Sequence, residues 1–228
     1  MSTPYYEDDL VTLYHGDCRE ITAWLEADVL VTDPPYGRAW RQGRIEGKGG
    51  NRRPSDVSAS HQGIANDLTT ELRDFMLGEW SGPAAVFGDL LLAPPVGTQQ
   101  VLIYRKPNSA GVRGATAGHR RDVEAIYLLG WWSGLGGRSS VLDAGYANVA
   151  TGPAATGHPH AKSNATMQHL VSLAADGTTI ADPFAGSGST LFAAKVLGRR
   201  AVGVELEERY CEIAAKRLTQ DTLFGGAA

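Results

Sequence analysis

The stretch T-T-I-A-D-P-F-A-G-S-G-S-T-L-F-A-A-K-V, residues 178–196, contains the most regular structural unit in the chain. Its pattern predicts a strand over Thr178–Ala181, a glycine-rich turn, and a helix over Ser189–Leu197. A further strand over Arg200–Val204 and a helix over Glu208–Leu218 follow it. Strands that alternate with helices in this way predict an α/β fold with a mainly parallel sheet.

The rest of the chain extends this pattern, and its 228 residues, 43% apolar, suffice for one sizeable core. One helix is predicted after a capping Asp67, with Leu68, Leu72, Phe75 and Met76 on its apolar face. Another is predicted over Ser163–Ala175. The further predicted strands are Val11–His15, Val29–Thr32, Ala84–Phe87, Val101–Tyr104 and Glu124–Leu129.

Several broad classes of protein fit the composition poorly. No apolar run reaches the roughly 18 residues of a membrane span, and residues 1–9 lack the basic and apolar regions of a secretory signal. Cys18 and Cys211 are far apart and form no C-x-x-C pair, so we expect neither a disulfide framework nor a metal site. These features favour the reducing cytoplasm.

Positive charge is concentrated in two segments, although the net charge is −4. Such clusters are typical of surfaces that contact a phosphate backbone, but two solvated loops would give the same pattern. Residues 38–63, which are poor in large apolar side chains, are interpreted as a flexible DNA-contacting loop. The cationic residues of the two segments are Arg38, Arg41, Arg44, Lys48, Arg52 and Arg53, then Arg105, Lys106, Arg113, Arg120 and Arg121.

The glycine turn after Asp182 predicts a site for a nucleoside. Gly186 and Gly188 would let the backbone pass close to a ligand, and the following helix would present its N-terminus to an anion. Glu205, at the end of the next strand, is placed to bind both hydroxyls of a ribose. Neither a dinucleotide nor a Walker phosphate motif is present, which favours a nucleoside without phosphates; a turn that only joins strand to helix remains the alternative.

A second motif, Asp33-Pro34-Pro35-Tyr36, follows the apolar strand Val29–Thr32. The exocyclic nitrogen of adenine or cytosine is a poor nucleophile because its lone pair is delocalised into the ring. Asp33 and the Pro34 carbonyl could each accept one N–H hydrogen bond and so direct that lone pair, while Pro35 stiffens the backbone. Tyr36 offers a ring on which an extruded base can stack.

Together the two motifs resemble the amino-methylating DNA methyltransferases, and specifically the permuted class often called β. In that class D-P-P-Y precedes F-x-G-x-G, as Asp33–Tyr36 precedes Phe184–Gly188 here. The segment Leu13–Cys18 is similar to the family's opening G-D segment, and His158–Lys162 to its H-P-x-x-K segment. The resemblance implies S-adenosylmethionine as cofactor, bound by Asp17, Cys18, Asp33, Lys162, Asp182, Phe184, Ala185, Gly186, Ser187, Gly188, Ser189, Thr190 and Glu205.

The same resemblance implies a Rossmann-like, seven-stranded, mostly parallel sheet with helices on both faces and one antiparallel strand. It implies one catalytic domain over 1–130 and 158–228, with a short target-recognition insert at 131–157. An Asp at position 33 favours adenine N6 as the target, with cytosine N4, RNA adenine or a catalytically silent DNA-binding relative as alternatives. We expect DNA as partner, in a restriction–modification setting, with a homodimer as one way to enlarge the short recognition surface.

Overall fold

The computed structural model of the protein describes residues 2–37, 68–106, 119, 121–132, 136–143 and 162–220. The whole of the expected flexible loop at 38–63 lies outside these residues, as does most of the expected recognition insert. The site formed by the two motifs lies within them.

Nine strands form a single sheet in the order β1-β2-β9-β8-β3-β4-β6-β5-β7. Strands β2, β9, β8, β3 and β4 are parallel neighbours, and β6 runs antiparallel to both β4 and β5. The strands are Tyr6–Glu7 (β1), Val11–His15 (β2), Val29–Thr32 (β3), Ala84–Gly88 (β4), Thr98–Arg105 (β5), Val123–Leu129 (β6), Val141–Asp143 (β7), Ile180–Asp182 (β8) and Ala201–Glu205 (β9).

The expected sheet is reproduced by the inner seven strands, which lie in the order β2-β9-β8-β3-β4-β6-β5. Strand β6 is its antiparallel member. The two further strands lie at the edges: β1 pairs with β2, and β7 pairs with β5. They are two and three residues long, too short to give an alternating pattern. The expected count of seven is therefore corrected to nine, while the mostly parallel α/β architecture is confirmed.

Helices cover both faces of the sheet, as expected. They are Glu71–Glu79 (α1), Asn164–Val171 (α2), Ser189–Val196 (α3) and Glu208–Gln220 (α4), with a 3-10 turn at Ala23–Glu26. Buried residues of α2, α3 and α4 pack in one core cluster with Val29 and Val31, whereas the 3-10 turn and α1 pack in a second cluster with Leu30. Successive β3 side chains thus point to opposite faces, as a strand requires.

Helix α1 departs from its expected apolar face. It begins at Glu71, so Leu68 precedes it and is 76% exposed, while Phe75 is 46% exposed. Met76 is fully buried and Leu72 packs beside it. Buried Arg73 donates a hydrogen bond to the Ala93 carbonyl at 3.1 Å, and this polar anchor occupies part of the inward face. Asp67, the expected cap, lies outside the described residues.

None of the helices that the structure describes combines the length and the apolar composition of a membrane-spanning segment.

Candidate active site

The predicted site residues converge at one edge of the sheet. Since β2, β9, β8 and β3 are parallel neighbours, their carboxyl ends lie side by side. Glu205 and Asp182 end β9 and β8, Asp33 comes directly after β3, and Asp17 lies two residues beyond the end of β2. This edge is the usual ligand-binding edge of an open α/β sheet.

Hydrogen bonds tie these strand ends to one another. The Gly16 N–H after β2 donates to the Glu205 carbonyl at 2.9 Å. The Thr32 hydroxyl at the end of β3 donates to Asp182 Oδ1 at 2.7 Å, and the Thr190 hydroxyl donates to the Val31 carbonyl at 3.3 Å. These bonds hold Thr32 and Asp182 in one site, although the two residues are 150 positions apart in sequence.

Glu205 is connected directly to the glycine turn. Its Oε2 accepts the Gly186 N–H at 2.7 Å, and its Oε1 accepts the Glu207 N–H at 2.8 Å. Burial raises the pKa of this carboxyl, although these backbone N–H groups offset the effect. Each oxygen still has acceptor capacity, so the carboxylate can bind a diol such as that of ribose.

The turn adopts the left-handed backbone conformation that glycine tolerates, with φ of 52° at Gly186 and 76° at Gly188. The reason for Gly188 differs from the sequence interpretation. A Cβ there would lie 2.9 Å from the Ala214 Cβ on α4, so this glycine is required by packing within the protein. Gly188 brings the turn against α4.

Other residues of the predicted cofactor segment are fixed by neighbouring backbone. The Phe184 N–H donates to Asp182 Oδ1 at 3.1 Å, and the Ala185 N–H donates to the Val204 carbonyl at 2.9 Å. Arg217 on α4 donates to the Ser187 carbonyl at 3.4 Å and to the Ser189 hydroxyl at 3.2 Å. Arg217 was not singled out from sequence; it lies 30 residues from the turn that it supports.

Asp182 is almost completely buried, and burial raises its pKa to about 7 despite hydrogen bonds from Thr190 and Thr32. The nearby Asp33 carboxyl contributes to the increase. The Asp182 side chain therefore serves mainly as a fixed acceptor that joins β8 to β3, rather than as an exposed anion.

At the β2 end, the Asp17 carboxylate accepts the Arg19 N–H at 2.9 Å and forms an ion pair with the Arg19 side chain. Hydrogen bonds from Arg19 lower the pKa of Asp17. Cys18 is buried, and its carbonyl accepts the Trp24 indole N–H at 2.9 Å. Both residues thus lie at the outer end of the site, beyond Glu205.

At the opposite end, Asp33 belongs to a network with Tyr36 and Lys162. The Tyr36 hydroxyl donates to Asp33 Oδ1 at 2.7 Å, and Lys162 Nζ lies 2.9 Å from Asp33 Oδ2. Lys162 also donates to the Tyr36 hydroxyl at 2.9 Å. Burial raises the pKa of Asp33, and the Lys162 charge opposes this increase.

Glu124 completes the network and was missed as a site residue in the sequence analysis. Its Oε2 accepts from Lys162 Nζ at 2.8 Å, and its Oε1 lies 2.6 Å from Lys106 Nζ. Burial opposes ionisation of Glu124, but the two lysines prevail and hold its pKa at about 2. The available signal was a carboxylate within the otherwise apolar strand V-E-A-I-Y-L-L.

Three of the eleven predicted DNA-contacting cations lie within the described residues. Arg105 forms an exposed ion pair with Asp143, and Arg121 is exposed. Lys106 is less exposed than these two: its ammonium lies 2.6 Å from Glu124 Oε1, and its side chain is 25% exposed. The others, Arg38, Arg41, Arg44, Lys48, Arg52, Arg53, Arg113 and Arg120, lie outside the described residues.

The two adjacent tryptophans after β6 have different environments. Trp132 packs against the first core cluster and donates its indole N–H to the Leu129 carbonyl at 3.0 Å. Trp131 is 79% exposed. Trp132 is therefore part of the packed interior, whereas Trp131 is available for contact with another molecule.

No cluster of three or more His, Cys, Asp or Glu side chains that could hold a metal ion occurs in the described part of the chain.

Comparison with known proteins supports the resemblance. Residues 118–216 match the model of the N6/N4 methylase family, described as DNA methylase. Over 93% of both chains, the sequence is 30% identical to the candidate methylase YubD of Escherichia coli (strain K12). The chain belongs to the N6/N4 DNA methylase family.

Other relatives match over shorter segments. The Type II methyltransferase M2.DpnII of Streptococcus pneumoniae is 42% identical over 62 residues, which are 27% of this chain and 23% of that protein. M2.LlaDCHI of Lactococcus lactis subsp. cremoris is 36% identical over 69 residues, 26% of its length. The chain thus aligns with about a quarter of these two methyltransferases.

Solved structures share the fold over nearly the whole chain. The M1.HpyAVI–SAM complex superposes with a TM-score of 0.64 at 22% identity, covering 92% of this chain and 99% of that one. The cytosine-N4-specific PvuII DNA methyltransferase gives 0.63 at 15% identity, covering 95% and 89%. At these identities the likeness establishes the methyltransferase architecture.

Proposed function

We propose that this chain transfers a methyl group from S-adenosylmethionine to an exocyclic amino group in DNA, with adenine N6 as the target. The observation that carries the proposal is the position of Glu205 and Asp33 on the same edge of the sheet, separated by β8 alone. Strands lie about 4.8 Å apart, so the two acids are about 10 Å apart along the edge. That span suits a nucleoside whose ribose lies at one acid and whose reactive group lies at the other.

The residues along the edge suit the successive parts of this cofactor. Asp17 and Cys18 would contact the adenine, Glu205 the ribose, and the segment Asp182–Thr190 the methionine part. When bound, S-adenosylmethionine supplies an electrophilic methyl group: the C–S bond breaks as the amino nitrogen attacks, and its electron pair stays on sulfur in S-adenosylhomocysteine. Family membership and the SAM-bound M1.HpyAVI relative support this choice.

The D-P-P-Y residues would orient the amino group. Asp33 and the Pro34 carbonyl accept its two N–H groups, so that the nitrogen lone pair points toward the methyl group. Methylation leaves the nitrogen with an excess proton, and the Asp33 carboxylate is placed to accept it and release it to solvent. Tyr36 would stack on the base, which must leave the duplex to reach the site.

Adenine is preferred because the first residue of the motif is Asp33, which in the resembled class accompanies adenine N6 methylation. Cytosine N4 is the second candidate, since the PvuII enzyme of the same architecture is cytosine-N4-specific. The complete reaction motifs of this sequence argue against a catalytically silent DNA-binding relative. Methylation of RNA adenine would use the same chemistry and is the alternative that a comparison of substrates separates.

DNA binding would use the basic segments 38–53 and 105–121, with residues 131–157 as the recognition insert and a homodimer as one way to extend it. Cationic contacts to phosphates release counterions, so affinity should fall steeply with salt. Neutralising Arg41, Arg44 and Lys48 together should make the plot of log binding constant against log salt concentration less steep. The slope should fall by about one unit for each lost phosphate contact.

The deciding experiment expresses the chain in a host without amino-methylated bases and sequences the modified bases in its DNA. Detection of N6-methyladenine at a defined site would support the proposal. Detection of N4-methylcytosine would show that cytosine, not adenine, is the target. Radiolabel transfer to duplex DNA, single strands and RNA would compare substrate classes. Methyl transfer to none of them would overturn the enzymatic assignment.

A further inference from the structure

Lys162 lies at the centre of the buried network beside Asp33. An ammonium group has three N–H donors, and Lys162 Nζ lies within hydrogen-bond distance of three acceptors: Asp33 Oδ2 at 2.9 Å, the Tyr36 hydroxyl at 2.9 Å and Glu124 Oε2 at 2.8 Å. It also lies 4.7 Å from the centroid of the Phe87 ring. The ammonium is therefore fixed both in position and in orientation.

Glu124 reaches this network from the antiparallel strand β6, whereas Asp33 and Tyr36 follow β3. The charges alternate along the network: Asp33, Lys162, Glu124 and then Lys106. Both Lys162 and Glu124 are buried, with side chains 8% and 11% exposed. Removing Glu124 leaves the buried Lys162 ammonium with Asp33 as its remaining counter-charge, and removing Lys162 leaves Glu124 with Lys106. Either change alters the charge balance of a buried network.

We propose that Glu124 is a positioning residue for methyl transfer, because it anchors the Lys162 ammonium that orients the Asp33 carboxylate. This inference rests on the proposed function and adds to it a residue outside the two motifs. With Glu124 present, Lys162 is shared between two carboxylates and cannot move fully onto Asp33. The second lone pairs of the Asp33 oxygens then remain directed toward the target amino group.

A role confined to folding predicts a different outcome. A structural ion pair would alter stability but leave turnover per folded molecule unchanged. A positioning residue should lower kcat while the KM for DNA and the Kd for S-adenosylmethionine stay nearly constant, because misplacement of a reacting group acts at the chemical step.

The pH profile gives a second readout. The groups that face Asp33 are Tyr36 from its own segment, Lys162 from the residues just before α2, Glu124 from β6 and Asp182 from β8. The Glu124 charge raises the pKa of Asp33 and the Lys162 charge lowers it. Replacing Glu124 by a neutral residue should therefore move the acid limb of the kcat profile to lower pH.

The test begins with the wild-type chain, unmethylated DNA of mixed sequence and radiolabelled S-adenosylmethionine. Methyl transfer by this protein tests the proposed function before any variant is made. Glu124→Gln should then reduce kcat by about 10- to 100-fold, with Glu124→Asp intermediate because it keeps the charge at shorter reach. Glu212→Gln is the matched control, since Glu212 forms a surface pair with Lys216 at 2.6 Å, remote in sequence from both motifs.

An active wild type with Glu124→Gln kcat within about twofold of Glu212→Gln would overturn the positioning role and leave the proposed function intact. If Glu124→Gln fails to fold, the double variant Glu124→Gln/Lys106→Gln removes both members of the outer pair. Its kcat should show the same reduction. If Glu124→Asp is the only variant that folds, its kcat and pH profile are compared with those of the wild type. Values equal to those of the wild type would reject the inference.

Discussion

The Gly186 backbone N–H donates to the Glu205 carboxylate at 2.7 Å, joining the glycine turn after β8 to the end of β9. The same carboxylate accepts the Glu207 N–H at 2.8 Å. Glu205 is thus held in one orientation before any ligand binds, which reduces the entropy lost on binding. The glycine turn and the acid act as one unit of the proposed cofactor site.

Replacing Glu205 by Ala should therefore weaken binding of S-adenosylmethionine. Loss of charged hydrogen bonds to the ribose costs about 1–3 kcal/mol, which corresponds to roughly a 5- to 150-fold larger Kd. Isothermal titration calorimetry would measure it, with Glu212→Ala as control. An unchanged Kd in Glu205→Ala would place the ribose contact elsewhere.

Asp33→Asn should abolish most methyl transfer, with a smaller effect on cofactor binding. The amide has nearly the shape of the carboxylate but lacks its charge, so it accepts the target N–H groups and the released proton less well. We expect kcat to fall by about 100-fold or more, the scale of losing one positioned electrostatic group. Single-turnover kinetics would report the chemical step. Turnover within a few-fold of wild type would exclude Asp33 from that step.

Lys162→Met should destabilise the fold because it removes the ammonium that pairs with Asp33 and leaves Glu124 with Lys106 as its remaining cationic partner. Breaking a buried pair costs about 3–5 kcal/mol, and urea denaturation would measure the loss. Lys216→Met, which removes a surface pair, should cost under about 1 kcal/mol. Adding Glu124→Gln to Lys162→Met should recover part of the lost unfolding free energy. If the two changes in unfolding free energy simply add, Lys162 and Glu124 are not energetically coupled.

The raised pKa of Asp182 predicts that the stability of the fold depends on pH. Its pKa is about 7 in the folded protein against an ordinary value of 3.8. Between these values the folded state holds a proton that the unfolded chain has released, so stability decreases as pH rises through this window. Asp182→Asn removes the titration and should be more stable than wild type near pH 7, by roughly 4 kcal/mol at most.

The measurement for Asp182 is the difference in unfolding free energy between variant and wild type at pH 5, 6, 7 and 8. The difference should grow up to about pH 7 and then level off. A difference that is constant over this range would show that Asp182 does not titrate there.

The two tryptophans provide a matched pair. Trp131→Ala should leave stability nearly unchanged, since the side chain is 79% exposed, but weaken DNA binding by about 1–3 kcal/mol if it stacks on a base. Trp132→Ala should lower the melting temperature because Trp132 packs against the core. Fluorescence anisotropy with duplex DNA would measure the effect on binding, and thermal denaturation would measure the effect on stability. An unchanged DNA affinity in Trp131→Ala would show that the Trp131 ring does not contact DNA.

Much of the site could be predicted because its residues follow buried parallel strands. Asp33, Asp182 and Glu205 each stand at a strand's carboxyl end, and parallel strands bring those ends to one edge. The strands β1 and β7 could not be predicted in the same way. They are held by pairing with β2 and β5, so their extended conformation depends on neighbours rather than on their own pattern.

The sequence by itself determined the alternation of elements, the two motifs and their order, because burial periodicity and turn chemistry are local properties of the chain. Only the tertiary structure decided that Glu124 meets Lys162, 38 residues away, that Gly188 is required by contact with Ala214, and that Trp132 is packed while Trp131 is exposed. These outcomes depend on which distant side chains share one space after the sheet and helices pack, and local periodicity specifies a buried face without specifying its partner.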